Sequence, residues 1–215
     1  MRFRTTSLAL AGALSLGACS TRNLPPYERP LAHTDFQQVR TTAYTHTESD
    51  HEEYGNHNAM GGVLHAAAPT MPAPRAIPVA QPVYGSPGRH YQPIAYVTPS
   101  QPFVSESVFD PVYGSAAADW SRWPAGTIFR IVSTGQLYRV DDYGWALSGR
   151  NTIDLYMATP GDMNRWGARN ELIQIVQWGD PQESLRRLES HQKYRHIRRM
   201  VLELEGNHRA AANLD

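Results

Sequence analysis

The chain has 215 residues, which is enough for one domain of ordinary size with additional segments, or for two small domains at most. Twenty Lys and Arg residues balance twenty Asp and Glu residues, so the formal net charge at pH 7 is zero. This balance excludes the strongly basic composition that is typical of a nucleic-acid-binding surface, and we expect no nucleic acid among the partners.

Residues 1–18 have the pattern of an export signal. A basic start with two arginines precedes an apolar run from residue 8 to residue 16, which is well short of the roughly 20 residues of a membrane-spanning helix. The following Leu16-Gly17-Ala18-Cys19 resembles the lipobox of bacterial lipoproteins, and Cys19 is the only cysteine in the sequence. We therefore predict lipidation at Cys19; a cleaved secretory peptide that happens to contain a cysteine is the alternative.

The lipobox resemblance implies a mature protein that starts at Cys19 and is anchored to a membrane by several acyl chains. The next residue is Ser20 and not an aspartate, which is typical of lipoproteins that are sorted to the outer membrane. Residues 19–34 are polar and contain three prolines, which predicts a tether between the lipid and the folded domain. We expect a protein of the cell envelope, bound to the outer membrane and facing the periplasm.

Two regions, 35–65 and 113–179, carry the alternation of short β-strands. Strands are predicted in these segments: 37–44, 127–132, 136–140, 152–157 and 171–178, with further pieces near 59–64 and 116–118. Gly-containing turns separate them, and a short helical turn is predicted around 162–166. Short, evenly spaced strands of this kind favour a mainly β fold, a small barrel.

The segment 66–112 interrupts this pattern. It holds ten of the sixteen prolines, and each proline lacks a backbone donor and fixes its own φ. The segment is therefore predicted to be a disordered insertion with polyproline II character. We expect no specific partner for it; threading through a polymer mesh is the alternative.

Residues 180–206 are predicted to form one C-terminal amphipathic α-helix, followed by a frayed tail. Asp180 as N-cap, Pro181 in the first position and Glu183 in a capping box mark its start, and Gly206 marks its end. An interrupted apolar stripe predicts packing against the barrel or against a partner: Leu185, Leu188, Ile197, Val201 and Leu204.

Two aspartates in the segment 138–156 are the first candidates for chemistry. Asp142 precedes a Gly-containing turn, and Asp154 lies in a predicted strand between Ile153 and Leu155. Because side chains alternate along a strand, apolar neighbours in the core would turn Asp154 to the opposite face. With the second carboxylate entering by the same hairpin, as we expect, the two form a candidate acid/base site.

Several motifs follow one another in the order of the three-aspartate (3D) domain family, which the chain resembles from Val39 to Trp178 once the insertion is removed. The matching pieces are Thr42-Ala43-Tyr44, Asp119 with Pro124-Ala125-Gly126-Thr127, the turn from Asp142 to Gly149, Ile153-Asp154-Leu155-Tyr156 and Trp166-Gly167. The interval from Asp142 to Asp154 is one residue longer than the commonest family spacing.

The resemblance implies a six-stranded double-psi β-barrel, shared with the membrane-bound lytic transglycosylase A family, and cleavage of peptidoglycan glycan strands. In such enzymes the 6-hydroxyl of the muramic acid attacks, so one acid/base residue suffices and the product is a 1,6-anhydro sugar. Alignment to the family assigns Asp154 to this role; an exposed strand carboxylate is the alternative. Asp142 is expected to keep Asp154 protonated or to stabilise positive charge, and Asp119 to orient the site; capping of turns is the alternative for both.

Aromatic and basic residues near these motifs are predicted to bind the glycan, because a flat ring covers the apolar face of a sugar. The candidate platforms are Tyr44, Trp145 and Tyr156. Arg139 and Arg150 are candidates to hold stem-peptide carboxylates, with a surface role as the alternative. Three further tryptophans are expected in the core: Trp120, Trp123 and Trp166.

His46, His51 and His57 lie among acidic residues, but their spacing matches no strong metal-ligand pattern, so we predict neither a metal nor another cofactor. Two other functions stay open. One is a non-catalytic peptidoglycan-binding or scaffolding barrel. The other is a hydrolase that acts on an envelope polysaccharide with Asp142 and Asp154 as a pair.

Overall fold

A computed structural model describes residues 23–48, 54–68 and 113–214. These residues form a closed barrel of six strands, followed by short helices, which confirms the predicted mainly β barrel. The strands are β1 Phe36–Tyr44, β2 Gly114–Ala117, β3 Ile128–Ile131, β4 Leu137–Asp142, β5 Thr152–Tyr156 and β6 Arg169–Gln177. The predicted signal, Cys19, His51 and all of the predicted insertion except residues 66–68 lie outside the described residues.

Strands that are neighbours in the barrel are mostly not neighbours in the sequence. The order is β1-β5-β2-β4-β3-β6, and β6 pairs with β1 to close the barrel. β1 pairs with β5, and β2 with β4, in parallel; the other four pairs are antiparallel. The predicted hairpin that carries Asp142 and Asp154 is therefore wrong, because β2 lies between β4 and β5.

The predicted strand piece at 59–64 is not part of the barrel. Residues 54–68 form a loop, named here the 54–68 loop, with one bridge between His57 and Val63. Two hydrogen bonds between main-chain atoms attach it to the barrel: Ser115 N of β2 donates to His65 O at 2.7 Å, and Met60 N donates to Asp141 O of β4 at 3.3 Å. The loop therefore crosses the outside of β2 and β4.

Alternating strand residues fill the barrel. Ile153 and Leu155 of β5 are fully buried, as the alternation predicts. Trp120 and Trp123 are buried in the same core, which confirms their prediction. Trp166 is instead half-buried at the edge of the core, where its Nε1 donates to Thr41 Oγ1 at 3.2 Å.

The predicted single helix 180–206 is wrong, although its predicted start is confirmed. Helix α1 (Pro160–Trp166) follows β5, and three short helices follow β6: α2 (Pro181–Leu188), α3 (Arg195–Leu204) and α4 (His208–Ala212). The Asp180 side chain accepts from Gln182 N at 2.8 Å, as an N-cap does. The break falls on the polar run 189–193, which offers no apolar side chain to hold a continuous helix on the barrel.

The C-terminal helices complete the barrel core. Leu188 of α2 and Ile197, Met200 and Val201 of α3 are buried in the cluster that also contains the strand residues. Of the two packing alternatives for the apolar stripe, the structure therefore has the helices on the barrel. Within the described ranges no helix is long and apolar enough to cross a membrane.

Residues 23–34 of the predicted tether, named here the N-terminal strap, lie along the barrel and α3. Glu28 N donates to Gly149 O at 2.8 Å, and Asn151 N donates to the Glu28 side chain at 2.7 Å. Arg199 of α3 donates to Pro25 O at 2.8 Å. The strap therefore links the turn before β5 to α3.

Candidate functional site

One transverse row of residues on the outer face of the barrel brings two of the three motif aspartates near each other. Thr42 of β1 pairs with Asp154 of β5, Asp154 with Ala117 of β2, and Ala117 with Asp142 of β4. Neighbouring strands lie about 4.8 Å apart, which separates the backbones of Asp142 and Asp154 by about 10 Å. These four residues are named here the aspartate row.

Asp154 is the partly exposed carboxylate of the row. Its neighbours Ile153 and Leu155 point into the core, so its own side chain points outward. Thr42 Oγ1 donates a hydrogen bond to Asp154 Oδ1 at 2.7 Å. Thr42 thus orients the Asp154 carboxylate at a position that solvent and a ligand can reach.

Asp142 is buried, with 7% of its surface exposed. Its Oδ1 accepts from Tyr143 N at 2.9 Å and from Ala59 N at 3.2 Å, and its Oδ2 accepts from the Tyr44 hydroxyl at 3.1 Å. Burial raises the pKa of Asp142 to about 6, although the three hydrogen bonds act in the opposite direction. This carboxyl group therefore changes charge near neutral pH.

Two tyrosines lie two residues further along β1 and β5 than Thr42 and Asp154. Tyr44 and Tyr156 are partners in β1 and β5, and their rings meet edge to face with centroids 5.6 Å apart. The Tyr156 hydroxyl lies 2.7 Å from Nδ1 of His46. Burial, followed by the charges of Asp142, Asp141 and Asp154, raises the pKa of Tyr44 well above its usual value. Tyr44 therefore stays neutral and donates to Asp142.

Neither tyrosine offers the open ring face that was expected of a sugar platform. Tyr44 is 7% exposed and Tyr156 is 5% exposed, and both belong to a small apolar cluster with Leu64 and Leu147. Their position supports the aspartate row from one side. Trp145, in the 3-10 turn after Asp142, is half-buried.

Asp119 lies apart from the row and is fully buried. Its Oδ1 accepts from Ser121 N at 2.8 Å, and its Oδ2 accepts from Gly149 N at 2.5 Å and lies 3.8 Å from Arg122 Nε. Burial raises the pKa of Asp119, while the hydrogen bonds and Arg122 lower it. Gly149 has φ of 77°, a conformation that favours glycine. Asp119 thus ties two turns together.

The two predicted basic residues have different surroundings. Arg150 Nε lies 3.3 Å from Glu28 Oε1, so the N-terminal strap occupies this guanidinium. Arg139 of β4 is exposed, and its charge lowers the pKa of Asp141 against the larger effect of burial. Arg139 is therefore the better placed of the two to meet a carboxylate of a ligand near the row.

Asp141 and Asn58 also belong to the site, and neither was predicted from the sequence. Strict alternation would turn Asp141 to the face opposite Asp142, but the pairing of β2 with β4 shifts register between Ala116 and Ala117, which leaves an extra residue in β4. Asp141 consequently contacts the 54–68 loop, where Asn58 Nδ2 donates to its Oδ2 at 2.9 Å. The doubled Asp141-Asp142 pair was the one signal in the sequence, and nothing in it indicated the bulge.

Across the described part of the chain, no group of three or more His, Cys, Asp or Glu side chains is arranged to hold a metal ion. His46 contacts Tyr156, and His57 lies in the 54–68 loop.

The chain matches no protein-family model. A search of the curated proteins finds no significant match either. The family resemblance therefore rests on the motifs themselves.

Proposed function

We propose that this protein is a lytic transglycosylase that cleaves the glycan strands of peptidoglycan with Asp154 as its acid/base residue. The order of the three aspartate motifs supports the substrate class. One structural observation supports the choice of residue: Asp154 is partly exposed and oriented by Thr42, whereas Asp142 is buried and hydrogen-bonded at both oxygens.

The proposal includes a double-psi topology for the barrel. A closed barrel of six strands with two parallel pairs is compatible with that topology. It also includes the anchor: the mature protein would be lipidated at Cys19, bound to the outer membrane and facing the periplasm, where peptidoglycan is found.

The reaction needs one proton donor that later becomes the acceptor. Asp154 gives its proton to the glycosidic oxygen while the bond from that oxygen to C1 breaks, and positive charge develops at C1. The 6-hydroxyl oxygen of the same muramic acid then bonds to C1, and its proton goes to the Asp154 carboxylate. No water is consumed, a 1,6-anhydro ring forms, and Asp154 is protonated again.

The other residues of the site support this step. Thr42 donates to Oδ1 of Asp154 and so orients the carboxylate toward the glycosidic oxygen. Asp142, when ionised, supplies negative charge from across β2, with its backbone about 10 Å from that of Asp154, and this charge favours the positive C1. Trp145 is the candidate platform for a neighbouring sugar, and Arg139 the candidate partner for a stem-peptide carboxylate.

A hydrolase that uses Asp142 and Asp154 as a pair fits the site less well. Such a mechanism needs the second carboxylate to reach either C1 or an attacking water. Asp142 is buried, and both of its oxygens are hydrogen-bonded: Oδ2 accepts from Tyr44, and Oδ1 accepts from Tyr143 and Ala59. The non-catalytic barrel is the second candidate, and product analysis separates it from the first.

The test is digestion of purified peptidoglycan with the parent protein, Asp154→Asn and Asp162→Asn, followed by mass spectrometry of the products. Asp162 is a matched control, because its carboxylate also accepts a threonine hydroxyl at 2.7 Å but lies on α1. We expect anhydro ends from the parent protein and from Asp162→Asn, and a loss of about 100- to 10,000-fold in Asp154→Asn.

Each other outcome contradicts part of the proposal. Products with reducing ends would indicate a hydrolase. Retained peptidoglycan binding with no products would indicate the non-catalytic barrel. Full activity of Asp154→Asn would show that another residue is the acid/base.

A further inference from the structure

We infer that Asp141 is a positioning residue that clamps the 54–68 loop onto Asp142 and so keeps the Asp142 carboxyl buried against Tyr44. The sequence motifs did not predict this role for Asp141. The clamp is a property of the folded chain, and its consequence for glycan cleavage rests on the proposed function.

Asp141 of β4 contacts the tip of the 54–68 loop. Asp141 Oδ2 accepts from Asn58 Nδ2 at 2.9 Å. The same Asn58 side chain closes the tip, because its Oδ1 accepts from Met60 N at 3.1 Å and from Gly62 N at 2.9 Å. The carboxylate of Asp141 therefore holds the residue that gives the loop its shape.

Asp141 is also connected to the end of the 54–68 loop, through Ser115 of β2. Ser115 Oγ of β2 donates to the same Oδ2 of Asp141 at 2.8 Å. Ser115 Oγ in turn accepts from His65 N at 3.1 Å. Asp141 is thus connected to the loop at its tip through Asn58 and at its end through Ser115.

The 54–68 loop also donates a hydrogen bond to Asp142. Ala59 directly follows Asn58, and Ala59 N donates to Asp142 Oδ1 at 3.2 Å. The position of Asn58 therefore sets the position of this donor. Leu64 of the same loop is buried in the small cluster with Tyr44, so a displaced loop would expose both Asp142 and its tyrosine donor.

Asp141 is buried, with 6% of its surface exposed, so its charge affects the strength of the clamp. Its Oδ1 is buried and has no hydrogen-bond partner in the described ranges. The groups that face this carboxyl are Ser115 and the Ala116 main chain of β2, Asn58 of the loop, Tyr44 of β1, and Asp142 and Arg139 of its own strand. A buried anion with one bare oxygen beside a second carboxyl is unfavourable, whereas a proton on Oδ1 leaves Oδ2 free to accept both hydrogen bonds. The clamp is therefore strongest when Asp141 is neutral.

The test compares Asp141→Ala, Asp141→Asn and Glu171→Ala in the full chain. Asp141→Ala removes the acceptor, whereas Asp141→Asn keeps one carbonyl oxygen for Asn58 and Ser115. Glu171 is a matched control, because it is 9% exposed and accepts from Ser133 at 2.6 Å, but it lies on β6. The readouts are amide hydrogen exchange at Ala59 and Gly62, and titration of the Asp142 carboxyl carbon by NMR.

In Asp141→Ala we expect exchange at Ala59 and Gly62 to be about tenfold faster than in the parent protein, because the loop loses its hydrogen-bonded anchor. In Asp141→Asn we expect exchange within about threefold of the parent rate, because an acceptor remains. The titration midpoint of Asp142 should fall in both variants, since a like charge is lost. Glu171→Ala should change neither readout.

Unchanged exchange in Asp141→Ala, or equal acceleration in Asp141→Asn, would overturn the inference. If Asp141→Ala does not fold, Asn58→Ala removes the same contact from the loop side. In Asn58→Ala faster exchange at Ala59 supports the clamp, and an unchanged exchange rate overturns it.

Glycan digestion separates this inference from the proposed function. If the parent protein releases anhydro products, Asp141→Ala should shift the pH profile of cleavage toward lower pH, together with the Asp142 midpoint. Absence of products from the parent protein would contradict the proposed function and leave the exchange results, and hence the clamp, intact.

Discussion

Asp119 and Asp154 carry the same chemical group in opposite environments. Asp119 is fully buried, accepts from Ser121 and Gly149, and lies beside Arg122. Asp154 is partly exposed and accepts from Thr42 on the outer face of the barrel. Membership in one set of motifs therefore does not give the three aspartates one role. The buried carboxylate of Asp119, with hydrogen bonds to both oxygens, holds turns together, whereas the accessible carboxylate of Asp154 can exchange a proton with a ligand.

Replacement of Asp119 should have the largest effect on stability. Asp119→Ala leaves the buried Arg122 without its carboxylate and Gly149 N without its acceptor. Removal of one partner of a buried ion pair typically lowers the free energy of unfolding by about 3–5 kcal/mol, and we expect a loss in this range, measured by urea unfolding. Asp154→Ala should lose much less, since its site is partly exposed. Equal losses in the two variants would contradict the division of roles.

Stability should also depend on pH through the buried carboxyl groups. Burial raises the pKa of Asp142 to about 6, above its usual value of 3.8. Between about pH 4 and pH 6 the native state therefore binds more protons than the unfolded state, so the contribution of Asp142 to stability is complete in acid and is lost as pH rises through 6. The loss is at most about 3 kcal/mol.

The comparison that tests this contribution, together with the effect of the Asp142 charge on the pKa of Asp141, is the parent protein against Asp142→Asn, by urea unfolding at pH 4.5 and pH 7.5. His196 has the opposite dependence, because burial lowers its pKa to about 4, but it is present in both proteins and cancels in the difference. The parent protein should lose stability relative to Asp142→Asn as pH rises. A difference that does not change with pH would mean that Asp142 is not buried in the native state.

A smaller effect should come from the Tyr44 hydroxyl. Tyr44→Phe removes the donor to Asp142 Oδ2, a hydrogen bond that lowers the pKa of Asp142. The midpoint of Asp142 should rise by about half a unit, and the free energy of unfolding should fall by about 1 kcal/mol. Carboxyl-carbon NMR measures the first value. Tyr156→Phe, which loses its contact with His46 instead, serves as the control and should leave the Asp142 midpoint in place.

Local patterns in the sequence predicted the individual elements well. Alternation located β1, β3, β4, β5 and β6 to within about two residues, because a strand with one buried face has a period of two regardless of its partners. The start of α2 was predicted for a similar reason, since capping by Asp180 involves only adjacent residues.

The arrangement of the elements could not be predicted in the same way. Which strands become neighbours depends on contacts between distant segments, so the position of β2 between Asp142 and Asp154 has no local signature. The same holds for the bulge that turns Asp141 toward the 54–68 loop. The partners of Asp142 were therefore found from the structure.

The N-terminal strap determines how the molecule would carry a mechanical load. Its hydrogen bonds to Gly149, Asn151 and Arg199 connect it to the turn before β5 and to α3. Tension applied at Asn23 is thus shared with β5, the strand of Asp154, and with α3 before it reaches β1. Two of these three bonds use main-chain groups of the strap, so the attachment can withstand changes in its side chains better than a contact built from side chains alone.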